Sequence, residues 1–199
     1  RKQILLHASR QFKEGDVQHW WHKEKGRGIR TRYSDDLLWL AFVTCEYVEK
    51  TGDISILNEQ VPFLEGRVLE EGEDERYEES VQSNEYASLY EHCALAIDRS
   101  LSTGPHGLPL MGCGDWNDGM NTVGNKGRGE SVWLGWFLLT ILNKFINLCK
   151  IMNDVEREKR YFEAATTLLG NIEKEAWDGS WYRRAYFDDG TPLGSAQNT

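Results

Sequence analysis

The 199-residue chain has no surplus of basic residues: 23 Lys and Arg stand against 32 Asp and Glu, for a net charge of −9. A phosphate backbone is gripped by concentrated Lys and Arg. Here the positive residues are scattered among acids, so a nucleic-acid partner is not expected. No two of Cys45, Cys93, Cys113 and Cys149 have C-x-x-C spacing, so neither a zinc ribbon nor a thioredoxin-like site is signalled. No H-E-x-x-H or other metal spacing occurs, and no metal is expected. The longest apolar stretch, Val132 to Leu142, is too short to span a bilayer and is closed by Asn143 and Lys144. No membrane contact by this segment is therefore expected. The chain has no visible leader and does not begin with Met. The expectation is a segment cut at both ends from a longer polypeptide. Its expected location is cytoplasmic, or the cytoplasmic part of a larger membrane protein, with reduced thiols.

Hydrophobic residues make up 40% and charged residues 28%, the composition of a soluble globular protein with a real core. No low-complexity linker divides the chain, so residues 1–199 read as a single domain. Helical periodicity dominates. Residues 3–12 read as the end of a helix. Ser34 reads as the N-cap of a helix over 34–52 that opens on Asp35-Asp36 and stops at Gly52. A short helix is expected over 53–60, followed from Pro62 by an irregular stretch with an acidic run from Glu70 to Glu79. Further helices are expected over 84–101 with Ser83 as cap, 130–151 and 155–176, the last two an antiparallel pair joined by Asn153-Asp154. Cys45, Cys93 and Cys149 fall inside these patterns as small core residues. Trp181 to Phe187, followed by Asp188-Asp189-Gly190, reads as a strand entering a turn. The pattern is that of an all-α protein with one short β-hairpin near its C-terminus. Two long Gly- and aromatic-rich loops, 13–33 and 102–129, each lead into an apolar helix, which suits an active-site face. Paired helices with alternating short and long loops suit a barrel, with a bundle or solenoid as alternatives.

The richest segment is Gly112-Cys113-Gly114-Asp115-Trp116-Asn117-Asp118-Gly119-Met120-Asn121. Glycines permit tight turns near a ligand, and Trp116 offers a flat face on which a sugar can stack. A carboxyl beside an indole and near a second carboxylate is disfavoured as an anion, which is what a general acid needs. A purely structural Asx-rich turn is the alternative. A calcium loop fails on spacing, because the Gly and Glu positions counted from Asp115 are Met120 and Lys126. The second constellation is Gly26-Arg27-Gly28-Ile29-Arg30-Thr31-Arg32-Tyr33-Ser34-Asp35-Asp36, where Arg donors and Asp acceptors could grip sugar hydroxyls. Upstream, His19, Trp20, Trp21 and His22 look like a site wall. The eight tryptophans of the chain are a mild hint in the same direction. Gly124, Gly127 and Gly129 read as a flexible loop and lack the Walker Lys-Ser/Thr ending.

Asp16 to Trp21, Arg30 to Trp39, Gly114 to Asn121, Gly129 to Trp136 and Trp177 to Gly194 together resemble glycoside hydrolase family 94, the cellobiose, chitobiose and β-1,2-oligoglucan phosphorylases. The likeness covers nearly the whole chain. It is strongest to the phosphorylase-like C-terminal region found in cyclic β-1,2-glucan synthases. The resemblance implies part of an (α/α)6 barrel and inverting phosphorolysis of β-glucosides, β-1,2-glucan oligosaccharides foremost, to a sugar 1-phosphate. It implies Asp118 as general acid, with Trp116, Arg30 and Asp36 around the glucose of the −1 subsite. His19, Trp20, Asp115 and Asn117 are candidates for the site wall. The implied partners are an oligosaccharide, inorganic phosphate as co-substrate with no further cofactor, the rest of the same polypeptide, and a second copy if the protein dimerises. The family's phosphate site, a His and a Thr-Gly pair, has no match here. An inverting hydrolase, or a non-catalytic module that binds glucan or senses its length, are the competing functions.

Overall fold

The computed structural model describes every residue except 24, 25, 197 and 199, and it divides into two compact units. The first unit comprises residues 1–32 and 36–99, the second 33–35 and 100–199.

The first unit opens with helix α1 (Lys2–Ala8), then strands β1 (Gln18–Trp21) and β2 (Arg27–Thr31). Helix α2 (Asp36–Thr51) follows and buries Leu37, Leu38, Leu40, Ala41, Thr44, Cys45 and Val48. Asp36 supplies a carboxylate at the positive helix end. Gly52 stops the helix in a left-handed conformation (φ 70°), its N–H donating to Val48 O at 2.9 Å. A 3-10 turn (Ile54–Asn58) leads into β3 (Gln60–Glu65), β4 (Glu75–Glu79), β5 (Val81–Ser88) and α3 (Leu89–Ser100). The strands form two antiparallel sheets, β1-β2-β4 and β3-β5.

The second unit holds β6 (Glu130–Ser131), α4 (Val132–Ile151), α5 (Val155–Asn171), a π-helical turn (Ile172–Ala176), and the short strands β7 (Ala185–Tyr186) and β8 (Pro192–Leu193). Ser131 caps α4 by accepting from Leu134 N at 2.9 Å. Asp154 caps α5 through Arg157 N at 3.0 Å. Asn153 makes the tight link in a left-handed conformation (φ 55°), and α4 and α5 pack along each other as the expected pair. The C-terminal hairpin β7-β8 also lies where expected, with β6 added to its edge.

The expectation of an all-α chain is corrected by these sheets. The stretch after Pro62 is irregular only over residues 66–74; before it runs the end of β3 and after it β4, with Pro62 at a register irregularity of β3 where a missing N–H is tolerated. Residues 81–88 form strand β5 and not the start of a helix. Ser83 donates to Glu65 Oε1 at 2.7 Å and caps nothing. Helix α3 starts at Leu89, with Ser88 Oγ accepting from Glu91 N at 3.2 Å. That Ser88-x-x-Glu91 spacing is the ordinary sign of a helix start. Helix α2 starts at Asp36, so Asp35 and not Ser34 precedes its first residue, and the Ser34 hydroxyl donates to Gly114 O at 3.1 Å. The helix expected to reach 176 changes to a wider π turn after Asn171.

Helix α4 contains the apolar run and follows the expected helix over 130–151. It continues through Asn143 and Lys144 for 20 residues, so by length and composition it could cross a membrane. Most of its length is buried, including Leu138, Leu142, Phe145 and Cys149, as in a core helix. All four cysteines are buried free thiols.

Candidate functional site

In the first unit, Arg30 is almost fully buried and all five of its N–H groups have acceptors. Nε and Nη2 clasp Asp16 at 2.5 and 2.7 Å, Nη2 also donates to Glu14 at 2.9 Å, and Nη1 donates to Gly66 O at 3.3 Å and Arg67 O at 3.1 Å. The guanidinium lies 3.9 Å from the ring centre of Phe12. A guanidinium with every donor engaged ties the 66–67 segment to β2 and leaves no N–H for a sugar hydroxyl. In this structure Arg30 ties β2 to Asp16, Glu14 and the 66–67 segment.

Asp36 belongs to a different network. It sits at the start of α2, with His19 Nδ1 at 2.9 and 3.0 Å from its two oxygens and Thr31 Oγ1 donating at 3.2 Å. A cavity of about 360 Å³ opens beside this pair, lined among others by His7, Arg10, Trp21 and Trp39. That volume suits a small-molecule site. Burial pushes the His7 imidazole below its ordinary pKa, and Arg10, 5.5 Å from the centre of Trp21, is lowered in the same way. Trp20 does not line this cavity. It stands on the exposed face of the sheet beside Tyr77.

In the second unit, three buried or loop-facing carboxylates fix the long loop 102–129. Asp115 is wholly buried; it accepts from Arg184 Nη2 and Ser131 Oγ, each at 2.6 Å, and from Asn117 N at 3.1 Å. Glu130, also wholly buried, accepts from His106 N and Leu108 N, each at 3.0 Å, and pairs with His106 Nδ1 at 2.5 Å. Asp188 accepts from the backbone N–H groups of Lys126, Arg128 and Gly129 at 2.9–3.0 Å. Beneath them Met111, Val123 and Ala185 form a small apolar core. Two glycines are required by this packing. A Cβ at Gly129 would meet Val123 O at 2.3 Å, and one at Gly114 (φ 155°) would meet the Tyr33 ring at 2.7 Å.

The result is a turn with opposite ends. Asp115 points inward as its anchor. Trp116, Asn117, Asp118 and Gly119 are exposed, with Asn117 Oδ1 accepting from Gly119 N at 3.1 Å. Trp116 lies 6.0 Å from Trp133, which lies 5.3 Å from Phe137, so an aromatic row runs from the turn along the start of α4. Trp133, Phe137 and Tyr77 escaped the sequence reading, as did the anchors Ser131, Arg184, Glu130 and Asp188. The i, i+4 spacing of Trp133 and Phe137 is the signal that could have found the row.

An anchored carboxylate turn beside exposed indoles suits contact with a sugar, whose C–H faces stack on aromatic rings and whose hydroxyls donate to carboxylates. The model of the Glycosyl hydrolase 94 superfamily, catalytic domain, matches residues 1–199. The chain is 48% identical over its whole length to 7% of the cyclic beta-(1,2)-glucan synthase of Rhizobium meliloti (strain 1021). It is 34% identical, over 84% of its length, to 20% of the 3-O-beta-D-glucopyranosyl-beta-D-glucuronide phosphorylase of Paenibacillus borealis. It is 29% identical, over 59% of its length, to 10% of the 1,2-beta-oligoglucan phosphorylase of Listeria innocua serovar 6a. The chain belongs to the Glycosyl hydrolase 94 superfamily, a family of carbohydrate-active enzymes, and spans a small part of the length of these relatives.

Proposed function

We propose that this chain is the part of an inverting β-glucoside phosphorylase domain that carries the proton donor, Asp118. The observation that carries the reading is the Asp115-Trp116-Asn117-Asp118 turn, whose first Asp is locked inside the protein while Trp116 and Asp118 stay exposed. A sugar alkoxide leaves readily only if its oxygen is protonated as the C–O bond breaks. Asp118 gives that proton, and a phosphate oxygen bonds to the anomeric carbon from the opposite face, yielding a sugar 1-phosphate of inverted configuration. Phosphate is already anionic, so no protein base is required. An inverting hydrolase would need a second carboxylate placed to activate water.

In this reading Trp116 of the second unit offers its face to a glucosyl ring, and Asp36 of the first unit, held by His19, accepts hydrogen bonds from sugar hydroxyls. Arg30 holds β2 in place through Asp16 and Glu14 instead of touching sugar. The substrate is a β-glucan oligosaccharide, β-1,2-linked by analogy with the activities for which two relatives are named. The chain is a portion of a catalytic domain of the (α/α)6 barrel class, on the cytoplasmic side. The test is phosphorolysis by the intact polypeptide. Asp118→Asn should abolish release of glucose 1-phosphate from an unactivated oligoglucan, yet spare turnover of a glycosyl fluoride, whose leaving group needs less acid. Near-normal turnover of the natural glycoside by Asp118→Asn would refute the assignment.

A further inference from the structure

The outward face of the β1-β2-β4 sheet carries an aromatic cluster that the proposed reaction does not use. Trp20 on β1 and Tyr77 on β4 both pair with Ile29 on the strand between them. Paired residues of antiparallel strands share a face. Their rings meet over Ile29 with centres 5.5 Å apart and planes 35° apart. His22 stands edge-on to both, at 5.4 Å and 78° to Trp20 and 6.2 Å and 87° to Tyr77, and so props them in place. Ile29 is 9% exposed, whereas Trp20 keeps 43% and Tyr77 48% of their surface. One side of each ring thus closes a small apolar contact, and the other side is open.

The rim decides the ligand. Arg27 Nε lies 3.5 Å from Glu79 Oε2, two positions along the same register from Tyr77, and Glu75 lies two positions the other way on the same face of β4. Carboxylates at both ends of Tyr77 repel phosphate, which disfavours nucleotides and anionic lipid. The patch is two rings wide, too small for a protein interface of ordinary size. Aromatic faces beside an Arg–Glu pair suit a neutral polyhydroxylated molecule, whose C–H faces stack while its hydroxyls both donate and accept.

We propose that Trp20 and Tyr77 form a stacking platform for a neutral β-glucan chain, distinct from the cavity that Asp36 lines. The choice of a glucan among neutral sugars rests on the family reading above. The platform itself rests on the sheet geometry.

The test is calorimetric titration of the intact polypeptide with β-1,2-linked gluco-oligosaccharides of increasing length, in phosphate-free buffer so that no turnover occurs. Trp20→Ala and Tyr77→Ala should each weaken binding of the longer oligosaccharides about tenfold and leave the disaccharide unchanged. Tyr77→Phe, which keeps the ring, should bind as the parent does. If Trp20→Ala does not fold, Trp20→Phe and Tyr77→Ala carry the comparison. Unchanged affinity at every length in the Ala variants would overturn the proposal. So would a Trp20 indole shielded from a soluble fluorescence quencher in the free protein, because another part of the polypeptide would then cover the platform. Asp118→Asn should retain length-dependent binding, so absence of phosphorolysis alone leaves the platform standing.

Discussion

Removing the Asp115 carboxylate should loosen the turn that presents Asp118. In Asp115→Ala, Arg184 loses its partner at 2.6 Å, Ser131 Oγ loses an acceptor at 2.6 Å, and Asn117 N loses one at 3.1 Å. Breaking a buried ion pair from one side costs about 3–5 kcal/mol. Arg184 keeps 26% of its side chain in solvent and can rehydrate in part, which favours the lower end, about 3 kcal/mol. Ser131 still caps α4 through Leu134 N, so the helix itself should survive. The loss should appear as easier local opening of residues 115–119. By the rule of tenfold per 1.4 kcal/mol, exchange of the Asn117 amide should speed up on the order of 100-fold. The assay is hydrogen exchange on parent and variant at one pH. Amides within α5 serve as internal controls and should change little. An Asn117 amide that exchanges within about twofold of the parent rate would refute the anchoring argument.

Two further outcomes concern the buried core of the first unit. Burial pushes the Cys93 thiol up to about 12, opposed by its contact with Thr44, and all four cysteines are buried; a thiol reagent near pH 8 should therefore label the folded protein only as it unfolds, and rapid labelling of Cys93 would contradict this. His92 is wholly buried with Nδ1 2.6 Å from Gln11 Oε1 and Nε2 3.0 Å from Val61 O. Burial lowers its pKa from 6.5, and the Val61 bond opposes this as the smaller effect. Between the lowered value and 6.5 the unfolded chain binds more protons, so stability is complete above about 6.5 and falls as pH drops. The unfolding midpoint should therefore fall on acidification below 6.5, with a shallower slope in His92→Gln; equal slopes in parent and variant would show that His92 is not the cause.

Helices were legible where one face is apolar and the ends carry ordinary signals. The α4–α5 pair follows from Leu and Ile spacing and from Asn153-Asp154. Strands β4 and β5 were not legible, because Glu75–Glu79 and Val81–Ser88 carry few apolar residues. Their pairing comes from partners distant in sequence, Arg27–Thr31 and Gln60–Glu65, which no local window contains. The S-x-x-E signal at Ser88–Glu91 was present, but Ser83 offered a competing cap five residues earlier.

The same distinction between local and distant partners governs the site. A motif gives residue type and spacing, so Asp115 and Asp118 look alike in the sequence. What separates them is the other end of each contact. Asp115 is turned inward by Arg184, 69 residues away, and by the hydroxyl that caps α4. The adjacent residues Glu130 and Ser131 reach to different parts of the loop, His106 and Leu108 on one side and Asp115 on the other. One short strand thereby fixes the loop at residues 106–108 and again at Asp115, immediately before Trp116 and Asp118. Arg30 illustrates the reverse case. Its charge and position suggested a ligand contact, but Asp16, Glu14 and two carbonyls take up all its donors. Residue chemistry suggests which groups could act, and the number of donors and acceptors left over decides which of them are available to a substrate.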